Sequence, residues 1–293
     1  MNNLKRLSFD TSAISGHNGL AMHDDRDFLV TGIRVGYFTR LTFPSVEESL
    51  AISDPTKRAD IFGLLSQLLG EGECLLAHNS LATHLIQNYD QSGHSRWDSM
   101  NIRFPRCETA IQQSEFSQSE SDEQREFAEQ EKVRFAEVFI NAAPHFEEVF
   151  ATGVERPATA DEFFAHLNRE GGALWNFGAG LYERAASRRP TEAQVRAFAD
   201  ECPPFLCLLL GLVHGQFEWA IRGDKVSAQK RPNRIDLFSA IYLPYCDIYV
   251  TEDAEQRRCL REIAITAKLP VEVISFAGFA HRLLPLAFLS TTA

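Results

Sequence analysis

Residues 231–256 read RPNRIDLFSAIYLPYCDIYVTEDAEQ. Asn233 is placed to cap a helix from 234 to about 242, residues 247–251 have the apolar, β-branched character of a short strand, and Asp253 can cap a new helix over 254–268. One aspartate, Asp236, therefore stands at the start of a helix, and another, Asp253, just past a strand. A last strand is expected over 271–275. At the other end of the chain LSFDTSA, residues 7–13, supplies a matching piece, because KRLSF is a short strand that ends on Asp10. Short strands alternating with helices argue for an α/β fold with a parallel sheet covered on both faces. Sites in such sheets lie at the carboxyl ends of the strands, and Asp10 and Asp253 both follow strands at that end.

The same alternation extends through the first third of the chain. Residues 33–41 read as extended. Ser45 and Glu48 form a capping box that opens a short helix to about residue 52, and Asp54-Pro55 restarts helix. Apolar residues at 61, 62, 64, 65, 68 and 69 make one helical stripe, Gly70 stops it, and 73–78 is a short buried strand. From about residue 91 the character changes. QSGHSRWDS (91–99) is loop-like, and QQSEFSQSESDEQ (112–124) is polar enough for a mobile or helix-entry segment. Helices are expected over 122–142, 160–169 (Thr159 and Glu162 as capping box, Gly171-Gly172 as stop), 173–187, 191–201 and 204–221, with no strand between 95 and 220. The chain thus divides into a first core part over 1–94, an all-helical insertion over 95–221 and a second core part over 222–293.

Composition narrows the function classes. With 293 residues, 44% of them hydrophobic, the chain can bury a sizeable core. A net charge of -11 speaks against a nucleic-acid enzyme, since phosphate binding is driven by Lys and Arg. Residues 107–162 alone carry -10, however, leaving the remainder near neutral with a basic approach of Arg222, Lys225, Lys230, Arg231 and Arg234 to the C-terminal motif. The N-terminus lacks a signal-peptide layout and the longest apolar run, 205–213, is too short to span a bilayer, so a cytoplasmic protein without membrane contact is expected. Six cysteines without a CxxC pair indicate neither a zinc cage nor a disulfide framework. P-loop, HExxH and GxSxG motifs are absent. His78 and His84 are six apart, off a common helix face, and read as structural. The 22 phenylalanines read as core, and Trp97, Trp175 and Trp219 as the core of the insertion.

Asp10, Glu48, Asp236 and Asp253, with Asp247 in reserve, are the candidate site acids. Mg²⁺ and Mn²⁺ take oxygen ligands, and cleaving a phosphodiester with them needs acids converging from separate segments. Each acid also has a structural reading as a helix cap.

As an ordered set, LSFDTSA, SVEESLA followed by DPTKR, and NRIDLFSAIYLPYCDIYVTEDAEQ resemble the PIN-domain family of metal-dependent nucleases. The resemblance covers residues 5–90 and 225–275 and leaves out the block between. It implies a metal-dependent nuclease, more readily a ribonuclease, with Asp10, Asp236 and Asp253 holding Mg²⁺ or Mn²⁺ and Glu48 completing the set. Thr11 and Ser12 match the hydroxyl pair after the first acid, and Thr251 the threonine near the fourth. Lys230, Arg231 or Arg234 would steer phosphate. A toxin of a toxin–antitoxin pair is a narrower version of the same implication. The alternative is a non-catalytic scaffold of the same frame, whose acidic helical insertion binds a basic protein partner.

Overall fold

The computed structural model describes residues 4–113, 118–141, 144, 147–148, 151–153, 155–170, 173–222 and 234–290. Five strands form one parallel sheet in the order β3-β2-β1-β4-β5: β1 Lys5–Phe9, β2 Tyr37–Leu41, β3 Glu73–Cys74, β4 Ile248–Val250 and β5 Glu272–Ile274. Side-chain alternation explains why the sheet is buried on both faces. Ile248 and Val250 join Leu7, Phe9 and Leu41 in one apolar cluster, while Tyr249, between them, points into a second with Val273.

The first cluster is closed by α1 (Thr11–Ser15), α2 (Arg26–Gly36), α4 (Pro55–Leu69) and α14 (Phe276–Ser290). Asp54 caps α4 by accepting from Thr56 N (2.8 Å) and Lys57 N (3.2 Å), and Gly70 ends it at φ +45°, as expected. The second face is covered by α13 (Ala254–Thr266) and α11 (Pro203–Gln216). A third cluster joins α5 (His78–Ser92), α8 (Ala160–Glu170), α9 (Ala173–Ala186), α10 (Glu192–Glu201) and α11 to Ile241, Tyr242 and Tyr245. The helical block therefore shares its core with the segment entering β4. Trp175 is buried in that cluster and Trp97 packs on it, whereas Trp219 packs with Leu237 and Cys259.

Several boundaries differ from expectation. Residues 33–36 are the end of α2, whose Leu29, Val30 and Ile33 face the core at helical spacing, so only Tyr37–Leu41 is strand. Strand β3 stops at Cys74, and His78 already begins α5. Helix α6 (Pro105–Gln113) was not foreseen, and α7 runs Gln118–Ile140. The single helix expected over 234–242 is a short α12 (Arg234–Phe238) followed by a 3-10 segment, Ser239–Tyr245. Pro244 lies inside that segment, and its ring and missing N–H are incompatible with continued α-helix. Asn233, Gly171 and Gly172 lie outside the described residues. Helix α11 continues into a π-helical turn, Phe217–Ile221. Together Pro203–Ile221 is long and apolar enough to cross a membrane by length and composition, which the apolar run alone did not reveal, yet 78% of that window is buried inside the protein. All six cysteines are free and buried.

Candidate active site

The order β3-β2-β1-β4-β5 reverses at β1: the chain leaves β1 for β2 on one side and returns to β4 on the other. Such a switch point leaves a crevice beyond the carboxyl ends of the two central strands. Asp10 stands in it. Its N–H extends the ladder to Val250 O (2.8 Å), and its carboxylate caps α1 by accepting from Ser12 N (2.9 Å). Capping and site membership are thus the same geometry. The Ser12 hydroxyl donates to Asp10 Oδ2 at 2.7 Å, and Gln256 Nε2 donates to Oδ1 at 3.2 Å. Thr251 Oγ1 donates to Gln256 Oε1 at 2.5 Å and lies 3.4 Å from Asp10 Oδ2. Ser12 Oγ also accepts the N–H groups of Glu252 (3.0 Å) and Asp253 (3.2 Å), tying the turn after β1 to the turn after β4.

Glu48 comes from α3 (Phe43–Leu50). Ser45 is not the cap of this helix: Thr42 occupies that position, Pro44 lies in the first turn, and Ser45 Oγ donates to Phe9 O at 2.7 Å. That bond anchors α3 to the end of β1 and brings Glu48, one turn further on, toward Asp10. Burial pushes the Glu48 carboxyl well above the usual carboxylate range, and the charges of Asp10 and Asp236 push it in the same direction. The Thr11 hydroxyl opposes the shift and Glu47 adds to it. Removing a carboxylate from water disfavours its charged form, and two neighbouring carboxylates repeat the effect.

Asp236 is carried by α12, which α11 approaches closely at Gly211. A Cβ there would lie 2.6 Å from Leu237 O, so only glycine permits this packing.

The remaining expected residues are distributed unevenly. Asp253 caps α13 through Gln256 N (2.8 Å), is exposed, and is not among the charges that raise Glu48. It sits at the rim, linked to the centre through Ser12 and Thr251. Asp247 lies at the opposite, amino edge, where Arg6 holds it through Nε (3.2 Å), Nη2 (2.8 Å) and the backbone N–H (2.7 Å). Its role is to lock β1 to β4, away from the crevice. Lys230 and Arg231 lie outside the described residues, and of Arg234 only the backbone, opening α12, is described.

Glu47, the neighbour that competes with Glu48 for the match on α3, adds its charge to the cluster. One residue was missed from sequence. Gln256 had a legible signal, since Asp253-x-x-Gln256 is a capping-box spacing. Its side chain turns inward to Asp10 and Thr251. His78 is buried at the start of α5 against Phe238, and His84 is exposed further along the same helix, so the two form no pair.

The donor set is all oxygen, the chemistry of a hard divalent cation. Among the described residues, no group of three or more Asp, Glu, His or Cys side chains stands at metal-holding geometry. Compared with known protein families, curated proteins and solved structures, the chain gives no match.

Proposed function

We propose that the protein is a Mg²⁺- or Mn²⁺-dependent phosphodiester hydrolase of PIN-like type, acting on RNA. The observation that carries this reading is Glu48: burial raises its carboxyl and the charges of Asp10 and Asp236 add to that rise, so that acids from three separate elements are neighbours at the switch point of the sheet. A buried carboxyl flanked by two carboxylates is a site of concentrated negative potential, which a divalent cation relieves. Mg²⁺ commonly uses one or two carboxylates and keeps several waters, so the set fits such an ion without a full protein cage. Asp10 and Asp236 would hold it, with Asp253 contributing from the rim.

When bound, the ion supplies charge for the phosphate and lowers the pKa of a coordinated water. Ser12 and Gln256 keep the Asp10 carboxylate oriented toward the crevice. Glu48, with its high proton affinity, is suited to accept a proton from the attacking water. Incubation of the purified protein with labelled RNA and Mn²⁺ tests the proposal. Cleavage abolished by Asp10→Asn and by Asp236→Asn is expected, and cleavage surviving both substitutions refutes it.

A second reading has its own observation. Helix α7, rich in Glu and Asp, exposes Phe127, Val133 and Ile140 by 45%, 57% and 49%. An acidic helix with uncovered apolar side chains suits a scaffold that docks a basic protein. Absence of metal-dependent cleavage, together with salt-sensitive capture of a basic partner lost on Phe127→Ser, would favour it.

A further inference from the structure

A cavity of about 400 Å³ lies between α5, α9, α11 and α12. Its floor is aliphatic, but its distinctive side chains are His78, Asn79 and Thr83 on one face of α5, Phe177 and Arg184 on α9, and Phe238 on α12. Phe177 is 41% exposed at the mouth. Arg184, also exposed, has no carboxylate partner among the described residues. The His78 and Phe238 rings lie 5.0 Å apart at 42°, a tilted aromatic pair on the inner wall.

The position of this cavity in the fold is informative. Helix α5 starts just beyond the carboxyl end of β3, and α12 starts the segment that runs back to the amino end of β4. The His78 and Phe238 wall of the cavity therefore belongs to elements on the carboxylate side of the sheet, and Phe238 follows Asp236 by two residues on one short helix. Apolar and aromatic walls, two neutral hydrogen-bonding side chains and one cation with no carboxylate partner among the described residues match the faces of a nucleotide: a flat base, its polar edge and a phosphate. The volume is in the range of small-ligand pockets, roughly 300–1,000 Å³.

We infer that the cavity receives one base of a single-stranded RNA whose backbone continues to the carboxylate cluster. The base stacks on Phe177 or Phe238, Asn79 and Thr83 meet its edge, and Arg184 pairs with the adjoining phosphate. The inference rests on the ribonuclease reading of the neighbouring site and names how that site selects unpaired strands. Stacking is available to every base, so the pocket requires an unstacked nucleotide more than a particular sequence.

Binding is measured on the full chain in EDTA, so that no cleavage intervenes, by fluorescence anisotropy of a labelled single-stranded RNA of about a dozen nucleotides. Parallel titrations use the same strand made fully abasic and the same strand annealed to its complement. Phe238→Leu, which keeps apolar volume and removes the ring, is expected to weaken binding of the intact strand by about tenfold, with no effect on the abasic strand. Phe177→Leu serves as the second stacking variant, at a position too exposed to endanger folding. Arg184→Gln is expected to weaken both intact and abasic strands and to lower the salt dependence. Equal affinity for intact and abasic strands, preference for the duplex, unchanged binding by both Phe variants, or no binding at all would overturn the inference. Cleavage with Mn²⁺ is scored separately on Asp10→Asn. Asp10-dependent cleavage with indifferent Phe variants refutes the pocket alone, and Phe-dependent binding without cleavage refutes the hydrolase alone.

Discussion

Gln256 Nε2 donates to Asp10 Oδ1 at 3.2 Å, joining two residues 246 positions apart, while the other end of the same amide accepts from Thr251 at 2.5 Å. The amide is thereby locked in orientation and holds the Asp10 carboxylate from behind. Groups that orient a ligand in this way typically change metal affinity or activity by 10–100-fold when removed. Gln256→Ala is expected to raise the Mn²⁺ concentration needed for half-maximal cleavage by about tenfold or more, with a smaller loss at saturating metal. An unchanged metal dependence would show that Asp10 needs no such support.

Glu48 makes a prediction about pH. Its folded-state proton affinity is raised, so the neutral form is favoured by folding. The stability this contributes is complete below the unfolded carboxyl value near 4.5 and is lost as pH rises through the folded value. Glu48→Gln, which mimics the protonated form, should match the wild type in Tm near pH 4 and exceed it at neutral pH in EDTA. Added Mn²⁺ should stabilise the wild type more than the variant. The wild type should also release a proton on binding the ion, visible as a buffer-dependent heat of binding. A Tm difference that stays constant between pH 4 and pH 8 would contradict the placement of Glu48 among Asp10 and Asp236.

Asp247 behaves in the opposite way. The Arg6 side-chain hydrogen bonds hold its carboxyl below the usual range, so the pair stabilises above the unfolded carboxylate value and fails as pH falls through the folded one. Because both side chains are 37% exposed, solvent screening limits the gain to about 1 kcal/mol. Asp247→Asn should lower stability by that amount at neutral pH and leave cleavage unchanged. A loss of cleavage beyond the loss of folded protein would return Asp247 to the site.

Glu218, in the π-helical turn, is 1% exposed and bonded to Arg258 Nη2 (2.6 Å) and Arg222 Nη1 (2.8 Å). Arg258 also holds Glu255 and Glu262, so one guanidinium joins the end of the helical block to α13. Removing one partner leaves a buried charge undercompensated, at a cost of about 3 kcal/mol. Arg258→Met should therefore lower the urea midpoint strongly, while the double substitution Glu218→Gln/Arg258→Met should recover part of the loss. Equal midpoints for the single and double variants would show that Glu218 does not carry the cost.

Gly211→Ala reports on the seat of Asp236. The added methyl meets Leu237 O at 2.6 Å and must push α12 away from α11. A stability loss of about 1–3 kcal/mol is expected together with weaker metal binding. If stability falls and metal affinity does not, Asp236 is not positioned by this contact.

The sequence by itself determined the elements whose signals are local. Strand β1 ending at Asp10, the Asp54 cap with Pro55 and Gly70 around α4, and the Asp253 cap of α13 depend on a few adjacent residues and on hydrophobic period, so they could be read directly. The parallel α/β class followed from alternation of those elements. Decisions that depend on distant partners could not be read in this way. Ser45 has the right spacing for a capping box, yet its hydroxyl finds Phe9 O, because packing α3 on the end of β1 offers a buried acceptor that the isolated helix lacks. Asp247 and Asp253 flank one strand and are the same residue type, but strand direction sends the first to the amino edge beside Arg6 and the second to the rim of the crevice. Gln256 drew no notice in the sequence and is a partner of Asp10 only because β1 and β4 are neighbours. Local propensity acts over a turn of helix or a few strand residues. Convergence of Asp10, Glu48 and Asp236 is set by strand order and by the packing of α3 and α12, which brings together charges that the chain keeps far apart.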